Sequence, residues 1–162
     1  MQDSALRYLQ HYPEPLLGQA RELLQSGRAG ELLAERYPDA PTVTNDRALY
    51  DYVMELKNRH LKTAPPLSRI AFDERLSTLH RSLGQHAYVS RVQGQRLKAK
   101  NELYVASLFK TTPPEFLRMV AVHELAHLRE REHNKAFYQL CCHMEPSYHQ
   151  YEFDLRLYLT HR

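Results

Sequence analysis

One short stretch constrains the fold and chemistry of this chain more than any other. It is His123-Glu124-Leu125-Ala126-His127, which has the pattern HExxH. In an α-helix, residues four apart lie on the same face, so His123 and His127 can bind one metal ion. Glu124 would then stand beside the ion, where a carboxylate accepts a proton from a water that the metal activates. The spacing therefore predicts a catalytic metal site with Glu124 as the general base.

A third histidine, His133, follows six residues after His127, so the full pattern is HExxHxxxxxH. Three neutral nitrogen ligands leave the fourth position of a tetrahedral zinc ion open to water, as a catalytic zinc site requires. The competing third ligand is a carboxylate from a later helix, with Glu152 as the best candidate and Glu145 or Asp154 behind it. The spacing favours His133, and Zn²⁺ is the predicted cofactor.

The residues around the motif predict that it lies on a helix. Thr112 is a candidate N-cap, Pro113 suits the first helical position, and Glu115 can complete a capping box. The apolar residues that follow recur at helical spacing, namely Phe116, Leu117, Val120, Ala121 and Leu128.

Asn134 is the predicted break after the motif, because asparagine caps helices well and tolerates left-handed conformations. A second helix is predicted to start there, from apolar spacing at Phe137, Leu140, Cys141 and Met144. A third helix is predicted from about Ser147 to Leu159, and His133 would lie at the mouth of the second.

A family resemblance is carried by the stretch Val122–Leu128 together with His133, Asn134 and Phe137. These residues resemble the YgjP-like metallopeptidase-domain family, which is related to the WLM and SprT-like zincins. Such proteins share HExxH, a nearby third histidine and an aromatic residue soon after, and the resemblance here is clearest from about Leu103 to Met144. It implies a small zinc-hydrolase fold in which His123, His127 and His133 are the ligands and Glu124 is the base.

The rest of the chain divides at the helix-breaking run Thr63-Ala64-Pro65-Pro66. Residues 1–62 are predicted to form a helical N-terminal region packed on the same domain, and residues 63–162 a zincin-like metal-hydrolase core. In the first part, one helix is expected to end near Ser26-Gly27, and another to be capped by Asn45 or Asp46.

Three strands are predicted between this break and the motif helix, at Ile70–Phe72, Ala87–Val92 and Glu102–Phe109. The order of elements predicts an α+β, zincin-like fold. It has N-terminal helices, a small antiparallel or mixed sheet, the HExxH helix and two C-terminal helices. By analogy with zincins, the strand Glu102–Phe109 is expected at the sheet edge, where an extended peptide pairs with it.

Composition limits the class of protein. The chain is 43% hydrophobic and 25% charged, as soluble globular domains are. No apolar run approaches the ~20 residues of a membrane span, and the N-terminus lacks a signal-peptide pattern. The cysteines Cys141 and Cys142 are neighbours, which rarely bridge each other, so no disulfide framework is predicted. The expected location is the cytoplasm, with no membrane partner.

One short stretch carries more basic residues than the net charge of +3 for the whole chain implies. Arg91, Arg96, Lys98 and Lys100 lie close together, with Gly94 among them. No aromatic residue interleaves these charges as a single-strand nucleic-acid binder would need, which favours a solvated hairpin that turns at the glycine. A patch that binds nucleic acid or phosphate is the alternative.

The motif predicts a zinc-dependent metallopeptidase acting on a peptide or protein. The alternative is a zinc-dependent hydrolase of a nucleotide or other phosphate-containing substrate, because attack by an activated water does not require an amide. A module that merely holds zinc is a third class, and Glu124 argues against it. The candidates to stabilise an oxyanion are Tyr138, His143, Tyr148 and His149.

Overall fold

A computed structural model describes residues 7–79, 90–93 and 101–161 of the chain. The helices are α1 (Glu14–Gln25), α2 (Ala29–Arg36), α3 (Asp46–His60), α4 (Glu74–Leu79), α5 (Pro114–Ala126), α6 (Lys135–Met144) and α7 (Tyr148–His161). The strands are β1 (Leu67–Asp73), β2 (Ser90–Gln93) and β3 (Asn101–Ala106). Short 3₁₀ turns lie at Arg7–Leu9 and Ser107–Lys110.

The strands form a mixed sheet in the order β1-β3-β2. β3 runs parallel to β1 and antiparallel to β2. The predicted α+β class, the mixed sheet and the run of N-terminal helices, motif helix and two C-terminal helices are confirmed. Because β1 and β2 pair with β3 on its two sides, β3 is the central strand. The expectation that the strand before the motif helix lies at the sheet edge was wrong.

The strand boundaries differ in part from the prediction. β1 extends the predicted Ile70–Phe72 at both ends. β3 ends at Ala106 instead of Phe109, because the chain turns into a 3₁₀ segment at Ser107–Lys110. The predicted strand Ala87–Val92 corresponds in part to β2, and residues 87–89 lie outside the described residues.

The N-terminal helices follow local sequence rules. The Asn45 side chain caps α3 by accepting a hydrogen bond from the Ala48 N–H at 2.8 Å, as predicted. Just beyond the end of α1, Gly27 has φ 74°, which favours glycine. Helix α2 was not predicted, since it is short and contains Gly30. A Cβ at that position would meet the ring of the exposed His161 side chain on α7, which would have to move.

The motif helix α5 is the buried centre of the fold. All of its residues from Phe116 to Ala126 except Arg118 are buried. It packs against β2, β3, α6 and α7, while α2 packs on α7 and α3 on β1. One hydrophobic core therefore includes residues of the N-terminal helices, such as Leu33 and Leu49. The division into 1–62 and 63–162 stays a prediction.

Among the described helices, none is both long and apolar enough to cross a membrane.

A buried carboxylate joins α2 to α7. Asp154 is 0% exposed and accepts hydrogen bonds from Arg36 at 2.9 and 3.1 Å and from Gln150 at 3.1 Å. The hydroxyl of Tyr37 donates to the same carboxylate. Burial, followed by this hydrogen bond, raises the pKa of Tyr37, so the phenol stays protonated and keeps donating.

We expect Asp154→Ala to lower the free energy of unfolding by about 2–3 kcal/mol, because it removes hydrogen bonds to a charged acceptor and leaves the Tyr37 hydroxyl buried. Arg36→Gln is the matched control and should cost less, about 1 kcal/mol, because Tyr37 and Gln150 still donate to the carboxylate. Urea denaturation of both variants measures the difference. Equal losses in the two variants would contradict this account of the buried carboxylate.

Candidate metal centre

The end of α5 places the first two predicted ligands and the base. His123 is 4% exposed and Glu124 is 1% exposed. The helix ends at Ala126, and His127 is its C-cap with φ −66° and ψ −15°, which is still helical backbone. The helical i,i+4 relation therefore persists through the motif, and the centroids of the His123 and His127 rings lie 5.0 Å apart.

The start of α5 corrects the predicted capping box. The N-cap is Pro113 and the first helical residue is Pro114, with no side chain capping the helix. A residue before proline is disfavoured in helical conformation, so Pro113, at φ −53° and ψ 145°, cannot join the helix. The prediction that Thr112 is the N-cap was wrong by one residue, although a proline does open the helix.

The loop after α5 brings the third histidine back to the first two. The Nε2 atom of His133 lies 3.0 Å from Nε2 of His127 and 3.3 Å from Nε2 of His123. One ligand atom from each of these three side chains lies within 4.8 Å of the others, so together they could hold a metal ion.

The arrangement fits a tetrahedral metal ion. Two ligands at ~2.0–2.1 Å from zinc lie about 3.3–3.4 Å apart at a tetrahedral angle, close to the measured separations. The Nδ1 atom of His127 is 3.1 Å from the carbonyl oxygen of Glu130. Because a carbonyl only accepts, Nδ1 carries the proton and donates, which leaves Nε2 with the lone pair that a metal needs. His127 is thus oriented with its Nε2 atom toward the other two histidines, where it could bind a metal ion.

The competing carboxylates lie elsewhere. Each forms an ion pair with an arginine: Glu152 with Arg156, Glu145 with Arg118, and Asp154 with Arg36. Glu152 also accepts a hydrogen bond from the Tyr12 hydroxyl at 3.2 Å. Among the described residues, the cluster that can hold a metal contains His133 and none of these carboxylates. The geometry supports His133 as the third ligand.

Glu124 and Phe137 complete the surroundings of the histidines. The Oε2 atom of Glu124 lies 3.8 Å from Nε2 of His123, close enough to serve a water beside the metal. The Phe137 ring is buried, and its centroid lies 5.0, 4.6 and 4.9 Å from those of His123, His127 and His133. Phe137 was predicted as part of an apolar stripe and as the aromatic residue that the family resemblance includes. Its ring also forms an apolar wall beside all three histidines.

The four candidates to stabilise an oxyanion differ in their positions relative to the three histidines. Tyr148 is buried, and its hydroxyl lies 2.7 Å from Nδ1 of His123, the ring nitrogen that does not face the other histidines. His143 is exposed, and its ring contacts that of His60 instead. The Tyr138 ring lies 6.4 Å from that of His133 and 5.6 Å from that of His149. Tyr138 and His149 therefore remain candidates.

Burial keeps two kinds of side chain near the site in their neutral forms. It raises the pKa of Tyr138, with a smaller effect from the charge of Glu152, so this phenol can donate a hydrogen bond. Burial also raises the pKa of Cys141 and Cys142, which are both free, as predicted from their adjacency. Neither thiol is therefore favoured as a thiolate ligand.

Asn134 caps α6, as predicted, by accepting a hydrogen bond from the Phe137 N–H at 2.9 Å. We expect Asn134→Ala to lower the free energy of unfolding by about 1 kcal/mol, the usual value of an N-cap. Asn134→Asp should retain most of the stability, because aspartate caps equally well. Chemical denaturation of the metal-free protein measures both, and an alanine variant as stable as the aspartate variant would refute the capping role.

The basic stretch runs from Arg91 to Lys100. Gly94, Arg96, Lys98 and Lys100 lie outside the described residues, and Arg91 is placed only as part of the β2 backbone. Both interpretations of the stretch, as a solvated hairpin or as a phosphate-binding patch, stay predictions.

Comparisons with known proteins identify the family of this chain. A family profile described as "YgjP-like, metallopeptidase domain" matches residues 66–158, more than half of the chain. A UTP pyrophosphatase of Escherichia coli (strain K12) is 56% identical over 157 residues, which cover 97% of this chain and 94% of that protein. No solved structure matches the chain. Three histidines of this protein lie close enough together to hold a metal ion, as expected in a family of metal-dependent hydrolase domains. The protein belongs to the YgjP-like metallopeptidase-domain family.

Proposed function

We propose that this protein is a metal-dependent pyrophosphatase that hydrolyses a nucleoside triphosphate, UTP, to UMP and pyrophosphate. The observation that carries this proposal is its 56% identity, over 97% of the chain, with a UTP pyrophosphatase. Hydrolysis of a phosphate-containing nucleotide was the alternative raised by the motif. The metallopeptidase is now the second candidate, favoured by the name of the family.

The chemistry of the ligands supports a polyphosphate substrate. His123, His127 and His133 are neutral when they bind a metal, so a bound dication keeps its full positive charge. Such an ion supplies a Lewis acid for phosphoryl oxygens and lowers the pKa of a water toward ~7. Zn²⁺ is the proposed ion, because imidazole ligands in a tetrahedral set suit it. The cytoplasm is the proposed location.

The sheet offers less support to a peptidase. The prediction of peptide binding relied on an edge strand just before the metal helix. That strand, β3, is paired from Asn101 to Ala106 with β1 and from Glu102 to Val105 with β2. Its backbone groups are therefore engaged on both sides, and an extended substrate cannot pair with it.

In the proposed reaction, Glu124 accepts a proton from the attacking water. The water oxygen forms a bond to the α-phosphorus, and the bond from that phosphorus to the oxygen bridging it to the β-phosphorus breaks. Pyrophosphate leaves, and Glu124 passes its proton to the leaving oxygen or to solvent. Burial of Glu124 at 1% exposure fixes the carboxylate and limits its hydration. The protonated phenol of Tyr138 is the proposed donor to a non-bridging oxygen, and His149 is an alternative donor.

A direct comparison of substrates tests the proposal. Zinc-loaded protein is incubated with UTP, with the other common nucleoside triphosphates, and with a casein peptide pool. We expect UMP and pyrophosphate from UTP, measured by anion-exchange chromatography, and no new peptide termini by mass spectrometry. Peptide cleavage without nucleotide hydrolysis would instead establish the second candidate.

A further inference from the structure

The Tyr148 hydroxyl connects a metal-site histidine to the C-terminal helix. It lies 2.7 Å from Nδ1 of His123, and Tyr148 is 0% exposed. The two rings are nearly parallel, with an interplanar angle of 15°. The Tyr148 ring also lies 6.3 Å from the ring of Tyr138 on α6. Tyr148 thus contacts residues of both α5 and α6.

The contact between His123 and Tyr148 determines which atom donates and which accepts in their hydrogen bond. If Nε2 of His123 is to bind a metal, the proton of the neutral imidazole must be on Nδ1. That N–H then donates to the Tyr148 oxygen. The Tyr148 O–H can then donate to a second acceptor. The Glu130 carbonyl has the same role for His127, because it accepts a hydrogen bond from the Nδ1–H of that ring.

We propose that Tyr148 is a positioning residue of the metal centre: its hydroxyl accepts a hydrogen bond from the Nδ1–H of His123 and fixes this ring with Nε2 toward the metal. Partners that hydrogen-bond a ligating histidine fix its tautomer and raise its basicity, and their loss usually weakens metal binding by about 10–100-fold. Tyr148 is thereby removed from the oxyanion candidates. This inference rests on the proposed metal centre but not on the identity of the substrate.

The position of Tyr148 also couples the metal to the packing of α7. Tyr148 is the first residue of that helix, which packs against α5 and α6. A ligand that binds only the folded state stabilises it in proportion to the logarithm of its affinity. Bound zinc should therefore raise the melting temperature, and a variant without the Tyr148 hydroxyl should gain less from the same zinc concentration.

The variant Tyr148→Phe tests the role, because it keeps the buried ring and removes only the hydroxyl. The zinc dissociation constant is measured by competition with a chromophoric chelator, and the visible spectrum of the Co²⁺-loaded protein reports the ligand field. We expect the dissociation constant to rise by about 10–100-fold and the Co²⁺ bands to shift. Tyr158→Phe is the matched control on the same helix, and its affinity and spectrum should remain those of the wild type.

Two further results keep the two proposals apart. If the wild type binds no zinc, the metal centre itself is wrong; if it binds zinc and Tyr148→Phe binds equally well with an unchanged Co²⁺ spectrum, the positioning role is wrong. The wild type alone gives an independent check, should the variant fold poorly. Long-range ¹H–¹⁵N NMR of the zinc-loaded protein should show His123 protonated at Nδ1, and a proton on Nε2 would overturn the proposal.

Discussion

Replacing Glu124 with glutamine should lower the rate of hydrolysis by at least ~10²-fold while the metal stays bound, the lower end of a general-base contribution. Glutamine has nearly the shape of glutamate but cannot take a proton from water. The three imidazoles are untouched, so zinc content and affinity should be unchanged. Steady-state kinetics with UTP, together with metal analysis of the same samples, measure both quantities.

The control for this experiment is Glu132→Gln, an exposed change in the loop between the second and third histidines. It removes the same charge within the ligand-bearing segment but not the base, so its turnover should match that of the wild type. Unchanged turnover in Glu124→Gln would rule out the proposed base. A loss of equal size in Glu132→Gln would show that net charge, and not proton transfer, limits the rate.

Replacing His133 with alanine should weaken zinc binding by more than about 100-fold, which is the upper end of the effect of losing a partner that merely orients a ligand. His133 contributes one of the three Nε2 atoms that face one another. With only His123 and His127 left, the ion would depend on water for half of its tetrahedral shell. Chelator competition at fixed pH measures the affinity.

Two matched variants decide whether His133 is the third ligand. His143→Ala removes an exposed histidine on α6 that pairs with His60 and should leave the affinity unchanged. Glu152→Gln removes the main competing ligand, and it should also bind zinc normally, because that carboxylate is engaged by Tyr12. Zinc binding lost in Glu152→Gln but kept in His133→Ala would reverse the assignment.

Rules that involve only residues close in sequence predicted the part of the site that lies on one helix. His123 and His127 share a face because of helical periodicity, and Asn134 starts the next helix because its side chain caps it. The predicted N-cap of α5 was wrong for an equally local reason. Pro113 precedes another proline and is therefore disfavoured in helical conformation, so it lies outside the helix. Sequence patterns within a few residues thus describe most of the motif.

Contacts between distant segments were beyond such patterns. The Glu152 carboxylate accepts a hydrogen bond from Tyr12, which lies 140 residues away in sequence, and is not part of the histidine cluster. The role of Tyr148 depends on how α7 packs against α5 across 25 residues. The central place of β3 depends on its parallel pairing with β1, a connection for which no short motif exists. Long-range packing, and not helix propensity, decided each of these points.

The central claim is that the three-histidine centre of this protein hydrolyses UTP, and a metal titration of the metal-free protein tests it most directly. UMP formation is followed as Zn²⁺ is added at a fixed concentration of protein and UTP. The account predicts that the rate rises in proportion to zinc and reaches its plateau at one ion per chain, with no rise in His133→Ala. A rate that is full without metal, or an absence of UMP at every zinc level while zinc is bound, would contradict it.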